Sequence, residues 1–313
     1  MGSTHRACLR AAGSSIVGRM DNRAEAREFL TSRRARVTPE QVGLPGGRNR
    51  RVAGLRRSEV ASLAGVSVEY YTRLEQGALS GASLEILDSI AKALRLDDAE
   101  RAHLFDLAHA SSPTARPPRR RDPQVWRPHP SLQWLLDGIT AGPAFVRNGR
   151  LDLIAANRLA RAFYKDAYDT AGTPNLARFT FLDQRSRSLQ LEWEGAADVV
   201  VSILRTETGR DPLDEGLQSL IRELCTRSDD FRRLWTAHDV RHHGTGFKHF
   251  RHPVVGELTI AYEGLEMISE PGLTLTVYTA EPGSSSEESL RLLGNWAATE
   301  YPDPVAAPSR AEA

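Results

Sequence analysis

The 313-residue chain has little of what covalent or membrane-bound frameworks need. It holds only two cysteines, Cys8 and Cys225, so a disulfide scaffold is excluded and a reducing, cytoplasmic location is expected. No run of about 18 apolar residues occurs, which predicts that the chain does not span a membrane. The N-terminal residues lack the long apolar stretch of a signal peptide.

The usual motifs of catalysis and metal binding are also missing. No glycine-rich phosphate loop, nucleophile elbow or zinc signature occurs, so the chain is not expected to be an enzyme, although catalysis in its second half stays a distant alternative. His238 and His242 have the spacing of two ligands on a helix, but glycines follow and no carboxylate completes a set. We therefore expect neither metal nor cofactor, and interpret His238 with Asp239 as a hydrogen-bonded pair inside the second domain.

The net charge of +1 conceals two halves of opposite sign. Residues 1–130 hold 22 Arg and Lys against 14 Asp and Glu, a net charge of +8, whereas residues 131–313 have a net charge of −7. A basic half predicts contact with a polyanion, and nearly all of its positive residues are arginines, which bind phosphate through a planar fork. An ordinary solvated surface is the alternative interpretation.

The stretch from Ser58 to Gly77 predicts two short helices joined by a tight turn. Ser58 is expected to cap the first helix, Gly65 to make the turn and Ser67 to cap the second helix. Tyr71 lies on the inner face of that second helix, and the opposite face is polar. This pattern is typical of a helix-turn-helix, although a plain helical hairpin has the same signals.

Composition divides the chain into five parts. We predict a disordered extension at 1–22, a helical DNA-binding domain at 23–110, a Pro- and Arg-rich linker at 111–128, a second domain at 129–299 and a disordered tail at 300–313. Met20 precedes the first helical pattern, so both Met1 and Met20 stay open as the natural start. Helical patterns occur in five segments of the first domain: 24–36, 58–64, 67–77, 83–94 and 97–108.

The second domain mixes helices with strands. Asn148-Gly149 between apolar runs predicts a hairpin, and three alternating segments near 247–280 predict a meander of strands. Helices are predicted at 131–138, 157–164, 193–206, 213–225, 228–235 and 287–298, whereas 175–183 is interpreted as irregular. The fold class is therefore an all-α helix-turn-helix bundle followed by an α+β domain with one sheet.

Several segments together resemble a known family. The stretches GLRRSEVASLAGVSVEYYTRLEQG and VGLPGG are similar to the Xre, or lambda-repressor, type of helix-turn-helix in actinobacterial regulators. The segments NLARFTFLD, FRRLWTAHDV, HPVVGELTIAYE and VYTAEPGSSSEESLRLLGNWA resemble the MmyB-like ligand-binding domain, which has a PAS-like fold. The resemblance covers roughly residues 24–298 and implies a DNA-binding transcriptional regulator.

The resemblance implies how DNA is bound. In this type of domain the second helix enters the major groove with its N-terminus first, and Glu75 pairs with the arginine that matches Arg33. Seven residues on or near that helix are expected to contact base edges or phosphates: Arg57, Ser67, Val68, Glu69, Tyr70, Thr72 and Arg73. Arg50 and Arg51, in the Arg-rich loop before it, are predicted phosphate contacts, with a solvated charge run as the alternative.

The resemblance also implies a small, apolar, fatty-acyl-like ligand, and a homodimer is expected because one helix reads a half-site weakly. The candidate ligand-binding residues are Phe163, Phe179, Phe181, Trp193, Phe231, Trp235 and His238. Ala156 stands where the family usually has Trp, which suggests extra room. Plain core packing is the alternative for each aromatic residue, and a protein-interaction or dimerisation module is the alternative for the whole domain.

Overall fold

A computed structural model of the chain describes residues 22–45, 52, 54–111, 129–236 and 245–300. Five predictions lie outside these residues: those for the N-terminal extension, for Arg50 and Arg51, for most of the linker, for His238 and for the tail. None of the helices in the described part of the chain has the length and apolar character that crossing a membrane requires.

The described chain forms two compact units. The first unit holds residues 22–111 together with 201–236, and the second holds 129–200 together with 245–300. Residues 201–236, which follow the linker in sequence, thus pack with the N-terminal helices, and the predicted domain range 129–299 stays a prediction. Sequence order alone gives no signal of that packing.

Five helices build the N-terminal part of the first unit. They are α1 (Asn22–Arg36), α2 (Arg57–Leu63), α3 (Val68–Glu75), α4 (Leu84–Ala93) and α5 (Asp98–Ala110). A short 3-10 turn at Glu40–Val42 follows α1. The predicted all-α bundle is confirmed, and its core is formed by fully buried side chains of these helices, among them Phe29, Leu30, Tyr71, Ile90 and Leu104.

Three side-chain caps decide where these helices begin. The side chains of Ser67, Ser83 and Asp97 each accept a hydrogen bond from the backbone N–H three residues later, at 3.1, 3.3 and 2.8 Å. The predicted cap at Ser58 is wrong. Helix α2 is capped at Arg56, whose backbone N–H donates to Glu59 Oε2 at 2.7 Å, because Glu59 then occupies the third helical position.

The remaining elements follow residue 129. They are α6 (Pro130–Gly138), β1 (Ala144–Asn148), β2 (Leu153–Ala156), α7 (Arg158–Phe163), α8 (Lys165–Tyr168), α9 (Leu176–Leu182), α10 (Arg185–Leu189), α11 (Trp193–Arg210), α12 (Glu215–Arg227), α13 (Asp229–Thr236), β3 (Thr245–His252), β4 (Gly256–Glu266), β5 (Leu273–Thr279) and α14 (Ser285–Glu300). Helix α11 begins in the second unit and ends in the first.

The five strands form one antiparallel sheet in the order β2-β1-β5-β4-β3. The predicted hairpin pairs Phe145 with Ala156, and the predicted meander joins it where β1 pairs with β5. This sheet with its helices agrees with the α+β, PAS-like fold that the resemblance implies. One face packs against α7, α9, α10 and α14 around an aromatic core, and α6 packs on the other face.

The segment 175–183 is helical, so its interpretation as irregular is wrong. The side chain of Asn175 accepts a hydrogen bond from the backbone N–H of Arg178 at 2.9 Å, which caps α9. The same amide donates to the Arg150 carbonyl and to Asp152 Oδ1, both at 2.8 Å. The segment forms a helix despite its weak helical period, because the buried Asn175 caps the helix and bonds it to the hairpin.

Candidate nucleic-acid interface and ligand-binding region

Helix α3 is positioned by a turn that needs glycine. Gly65 has φ +68°, a left-handed conformation that is costly for residues with a side chain, and it reverses the chain between α2 and α3. Ser67 then caps α3, and its hydroxyl accepts from the backbone N–H of Tyr70. The result is a helix whose first residues are exposed and whose last two residues, Leu74 and Glu75, are buried.

The residues predicted to read DNA lie on the exposed side of α3. Ser67, Val68, Glu69 and Arg73 are exposed, whereas Tyr70 and Thr72 are half-buried. The hydroxyl of Thr72 donates to the Val68 carbonyl at 2.7 Å, so this hydrogen bond within the helix already uses its proton. The structure thus brings six of the nine predicted residues together on one helix and its cap.

Arg73 is held beside an aromatic ring. Its guanidinium carbon lies 4.9 Å from the centre of the Tyr70 ring, a distance at which cation–π attraction acts. Tyr70 in turn packs against the bundle core with its ring. Tyr70 therefore packs on the core and also lies against Arg73, and its phosphate contact stays a prediction.

The buried end of α3 is anchored by a cluster of three charges. Arg34 Nε donates to Glu75 Oε2 at 2.6 Å, and Arg57 Nε donates to Glu75 Oε1 at 2.9 Å. Burial acts to raise the pKa of Glu75, but the hydrogen bonds and charges of Arg34 and Arg57 outweigh it and hold that pKa below its usual value of 4.5. The carboxylate consequently stays ionised while it joins α1, α2 and α3.

The predicted pairing of Glu75 with Arg33 is wrong. Arg33 Nη1 instead donates to Glu100 Oε1 at 2.7 Å, and Arg33 is only 4% exposed. One residue along a helix turns the side chain by about 100°. That turn places Arg34, rather than Arg33, on the side of α1 that faces Glu75.

Arg57, a predicted phosphate contact, is half-exposed at the start of α2. Its Nε belongs to the pair with Glu75, and its side chain is 51% accessible to solvent. A guanidinium has five N–H donors, so the Glu75 pair leaves further donors of Arg57 for a second partner. Arg50 and Arg51 lie outside the described residues, and their roles stay predictions.

The predicted ligand-binding aromatic residues fall into three groups. Phe163 and Phe179 are buried in the aromatic core beside the sheet. Phe181 contacts Trp193 edge to face, with 5.9 Å between ring centres. Phe231 and Trp235 stack on each other at 5.5 Å, and they belong to the first unit rather than the second. The predicted set therefore does not line a single cavity of the second unit.

The aromatic core beside the sheet contains a buried pair of hydroxyl groups. The hydroxyls of Tyr164 and Tyr278 lie 2.7 Å apart, and Lys248 Nζ lies 3.5 Å from the Tyr278 hydroxyl. Edge-to-face rings surround this pair, including Phe145 and Phe163. Burial raises the pKa of Tyr164 well above 10, so its hydroxyl stays protonated and can donate.

An open groove of about 1090 Å³ runs along a different part of the second unit. It lies between the start of α7 and one side of α14, and its lining includes Asp137, Arg158, Glu287, Arg291 and Asn295. Both signs of charge line it, unlike the apolar cavity that the sequence predicted. Ala156 is not among its lining residues; it is 1% exposed in the aromatic core, paired with Phe145.

Three residues that the sequence analysis did not single out as a group form a buried contact in the first unit. Arg205, from α11, pairs with Glu25 of α1, and its guanidinium also bonds the Trp235 carbonyl. In the sequence, the only sign of this buried contact is a single arginine directly after the largely apolar run 199–204.

Among the described residues, no group of three or more His, Cys, Asp or Glu has the geometry to hold a metal ion.

Comparison with protein families gives two matches. Residues 128–293 match the model described as the MmyB-like transcription regulator ligand binding domain, and residues 26–104 match a model described as a helix-turn-helix domain. The first match alone covers more than half of the chain. A search of curated proteins finds no match.

Proposed function

The chain belongs to the MmyB-like transcription regulators, which pair a DNA-binding helix-turn-helix with a ligand-binding domain, and on this premise we propose a finer function. Helix α3 reads base edges in the major groove of double-stranded DNA, a small apolar ligand binds in the second unit, and two copies of the chain act together on one operator.

The observation that carries the DNA-reading proposal is the contrast between the two sides of α3. Glu69 and Arg73 are exposed on one side, while Tyr71, Leu74 and Glu75 are buried on the other. The helix can therefore enter a groove without giving up its packing. In that position Arg73 binds the O6 and N7 atoms of guanine, Glu69 accepts from cytosine N4, and Val68 contacts a thymine methyl group.

Phosphate contacts are assigned to residues at the edge of this surface. Arg57, at the start of α2, and Tyr70, on α3, are assigned to phosphates, and the Arg-rich loop adds Arg50 and Arg51, as predicted from the sequence. The net charge of +8 over residues 1–130 supports this assignment, because positive side chains attract the phosphates of any DNA sequence. Binding through such contacts weakens as the salt concentration rises.

The experiment separates base contacts from phosphate contacts. Arg73→Ala should cost about 1–3 kcal/mol of discrimination between selected and unrelated duplexes, while leaving weak nonspecific binding. The double variant Arg50→Ala/Arg51→Ala should weaken binding to all duplexes alike. The slope of log binding constant against log salt concentration should become less steep by roughly one to two units. A full specificity ratio in Arg73→Ala at fixed salt would contradict the assignment of α3.

The ligand is proposed to be apolar because aliphatic and aromatic side chains form the interior of the second unit. Phe163 and Phe179 lie in the sheet-facing core, with Phe181 and Trp193 as a separate pair. Native mass spectrometry of gently purified full-length protein tests this proposal. A mass above that of the chain, lost in organic solvent and identified as an apolar compound, is the expected result; a water-soluble polar adduct would contradict it.

A homodimer is proposed to form through the sheet face that carries α6. Leu265 on β4 is 53% exposed there, Leu275 and Val277 beside it are half-buried, and α6 exposes Trp134 at its edge. Apolar surface of this kind marks interaction sites. We propose a second copy of the chain as the partner on this face, because a two-fold symmetric operator is bound by two copies of a helix-turn-helix protein.

Sedimentation velocity tests the dimer with a matched pair of variants. Leu265→Glu should shift the protein to monomer at micromolar concentration. Leu292→Glu should not, although Leu292 is equally exposed at 52%, because it lies on α14, which packs on the opposite face of the sheet. Dimers that persist in Leu265→Glu would exclude this face.

A further inference from the structure

We propose that α1 couples α11, which belongs to the matched ligand-binding region, to the DNA-reading helix α3. The proposal rests on the proposed role of α3 in binding DNA. It goes beyond that role because the matched helix-turn-helix model covers residues 26–104 only, whereas the coupling depends on Arg205, far along the chain.

The first contact of this path is a buried cluster of Glu25, Arg205 and Trp235, called the Arg205 cluster below. Arg205 is fully buried, and its Nη1 donates to Glu25 Oε1 at 2.5 Å across 180 residues of sequence. Its Nη2 donates to the Trp235 carbonyl, and its guanidinium carbon lies 4.3 Å from the Trp235 ring centre. Removing one partner of such a pair leaves a buried charge, so the cluster strongly favours a single arrangement.

A second contact lies one turn further along α11. A Cβ atom added to Gly209 would lie only 2.8 Å from the imidazole ring of His103, so the helix approaches α5 as closely as glycine allows. His103 is fully buried and meets Phe29 of α1 edge to face, with 4.9 Å between ring centres. These two contacts fix α11 against α1 and α5, and they adjoin each other, because His103 Nε2 lies 3.9 Å from Glu25 Oε1.

The opposite end of α1 holds the DNA-reading helix. Arg34 forms two hydrogen bonds with Glu75 at the end of α3, at 2.6 and 3.0 Å. Glu25 and Arg34 are nine residues apart on one helix, so about 13 Å of rigid helix separates the two ion pairs. A displacement of α11 that moves Glu25 is thus carried to Arg34, and from Arg34 to Glu75.

The starting point of the path is α11 itself. It is one helix of 18 residues, and its first turn carries Trp193, whose indole N–H donates to the Thr180 carbonyl at 3.1 Å. Trp193 lies within the matched ligand-binding region, as does the whole of α11. Packed side chains, hydrogen bonds and rigid helices are the kind of connection that carries coupling between distant sites.

The first test follows backbone hydrogen exchange in the full-length chain, without DNA. Arg205→Met, Glu25→Gln and the double variant Glu25→Leu/Arg205→Met are compared with Arg210→Ala. The last variant removes an exposed pair with Asp106 from the same helix and serves as the control. We expect the Arg205-cluster variants to speed exchange in residues 68–75 about threefold to tenfold, with less effect in residues 84–93.

The double variant guards against simple misfolding, because replacing both partners by apolar residues removes the uncompensated charge. Unchanged exchange in residues 68–75 in the folded double variant would overturn the proposal. Equal acceleration in α3 and α4 would do the same, since it would indicate general loosening of the bundle rather than coupling to α3.

The second test is a thermodynamic cycle on DNA affinity. The duplex is the one that the unaltered full-length chain selects from a random library. Trp193→Ala should change the Kd for this duplex about threefold or more in the unaltered background, and by much less when Glu25→Leu/Arg205→Met is present. The same factor in both backgrounds, or no change in either, would contradict coupling through the Arg205 cluster.

The two proposals fail in distinguishable ways. If α3 does not read DNA, Arg73→Ala keeps its specificity ratio while the hydrogen-exchange result still reports on the contact path. If the path is absent, Arg73→Ala loses specificity as expected, and exchange in residues 68–75 does not respond to Arg205.

Discussion

The buried end of α3 and the aromatic core beside the sheet both contain polar groups, but they stabilise them differently. At α3, Glu75 is a carboxylate held by two arginines from two other helices. In the aromatic core, the buried hydroxyls of Tyr164 and Tyr278 lie 2.7 Å apart and form a hydrogen bond with each other. The first region thus depends on charges that must all be present, and the second on shape and on a single hydroxyl pair.

This difference agrees with the two proposed roles. A helix that reads bases must keep one orientation, and a charged cluster penalises every other arrangement strongly. An interior of aromatic rings joined by edge-to-face contacts tolerates repacking with smaller losses, which suits a domain that admits a ligand. Three changes test this contrast, and their expected effects decrease from the first to the last.

Glu75→Gln is expected to have the largest effect. It leaves Arg34 and Arg57 without their carboxylate partner, and Glu75 is only 1% exposed, so the free energy of unfolding should fall by about 3–5 kcal/mol. Chemical denaturation measures this loss. Glu69→Gln, on the exposed side of the same helix, is the control and should change stability by less than about 0.5 kcal/mol.

The same cluster predicts a dependence on pH. Because the pKa of Glu75 in the folded chain lies below 4.5, its ionised form contributes stability above that value, and the contribution is lost as the pH falls through the folded pKa. The stability difference between the unaltered chain and Glu75→Gln should therefore be constant near neutral pH and shrink below about pH 4.5. A difference that grows on acidification would be inconsistent with the lowered pKa.

Ala156→Trp is expected to have an intermediate effect. The alanine is 1% exposed and belongs to the aromatic core, so a large ring there must displace its neighbours at a cost of about 1–3 kcal/mol. Thermal unfolding measures this loss. The matched control is Ile154→Trp, at a half-buried position of the same strand outside that core, where the loss should be smaller. Equal losses in both variants would indicate that the core is no tighter than its surroundings.

Removing the tyrosine hydroxyls is expected to have the smallest effect. Tyr164→Phe and Tyr278→Phe should each cost about 1 kcal/mol, because each leaves a buried hydroxyl without its nearest partner. The double variant should lose less than the sum, since no orphaned hydroxyl remains from the pair. Strict additivity in a double-mutant cycle would show that the two hydroxyls do not depend on each other.

Local signals explain why much of the first unit could be predicted. Ser67, Ser83 and Asp97 act on the backbone three residues away, and Gly65 acts on its own turn, so the sequence reports their effects directly. The strands of the second unit were recognisable for a similar reason, because alternation and the Asn148-Gly149 turn are local patterns. Two predictions were wrong because each depended on a single capping residue. Helix α2 is capped at Arg56 rather than Ser58, and Asn175 caps a helix at 176–182 that was predicted to be irregular.

By itself, therefore, the sequence determined the helix-turn-helix, the strands and the exposed side of α3, since short-range periods and caps encode them. Only the tertiary structure decided that Glu75 pairs with Arg34 rather than Arg33, and that Arg205 pairs with Glu25. It also separated Phe231 and Trp235 from the aromatic core beside the sheet. The physical reason is that such contacts join residues far apart in the chain, and their partners follow from how helices rotate and pack, which no local pattern specifies.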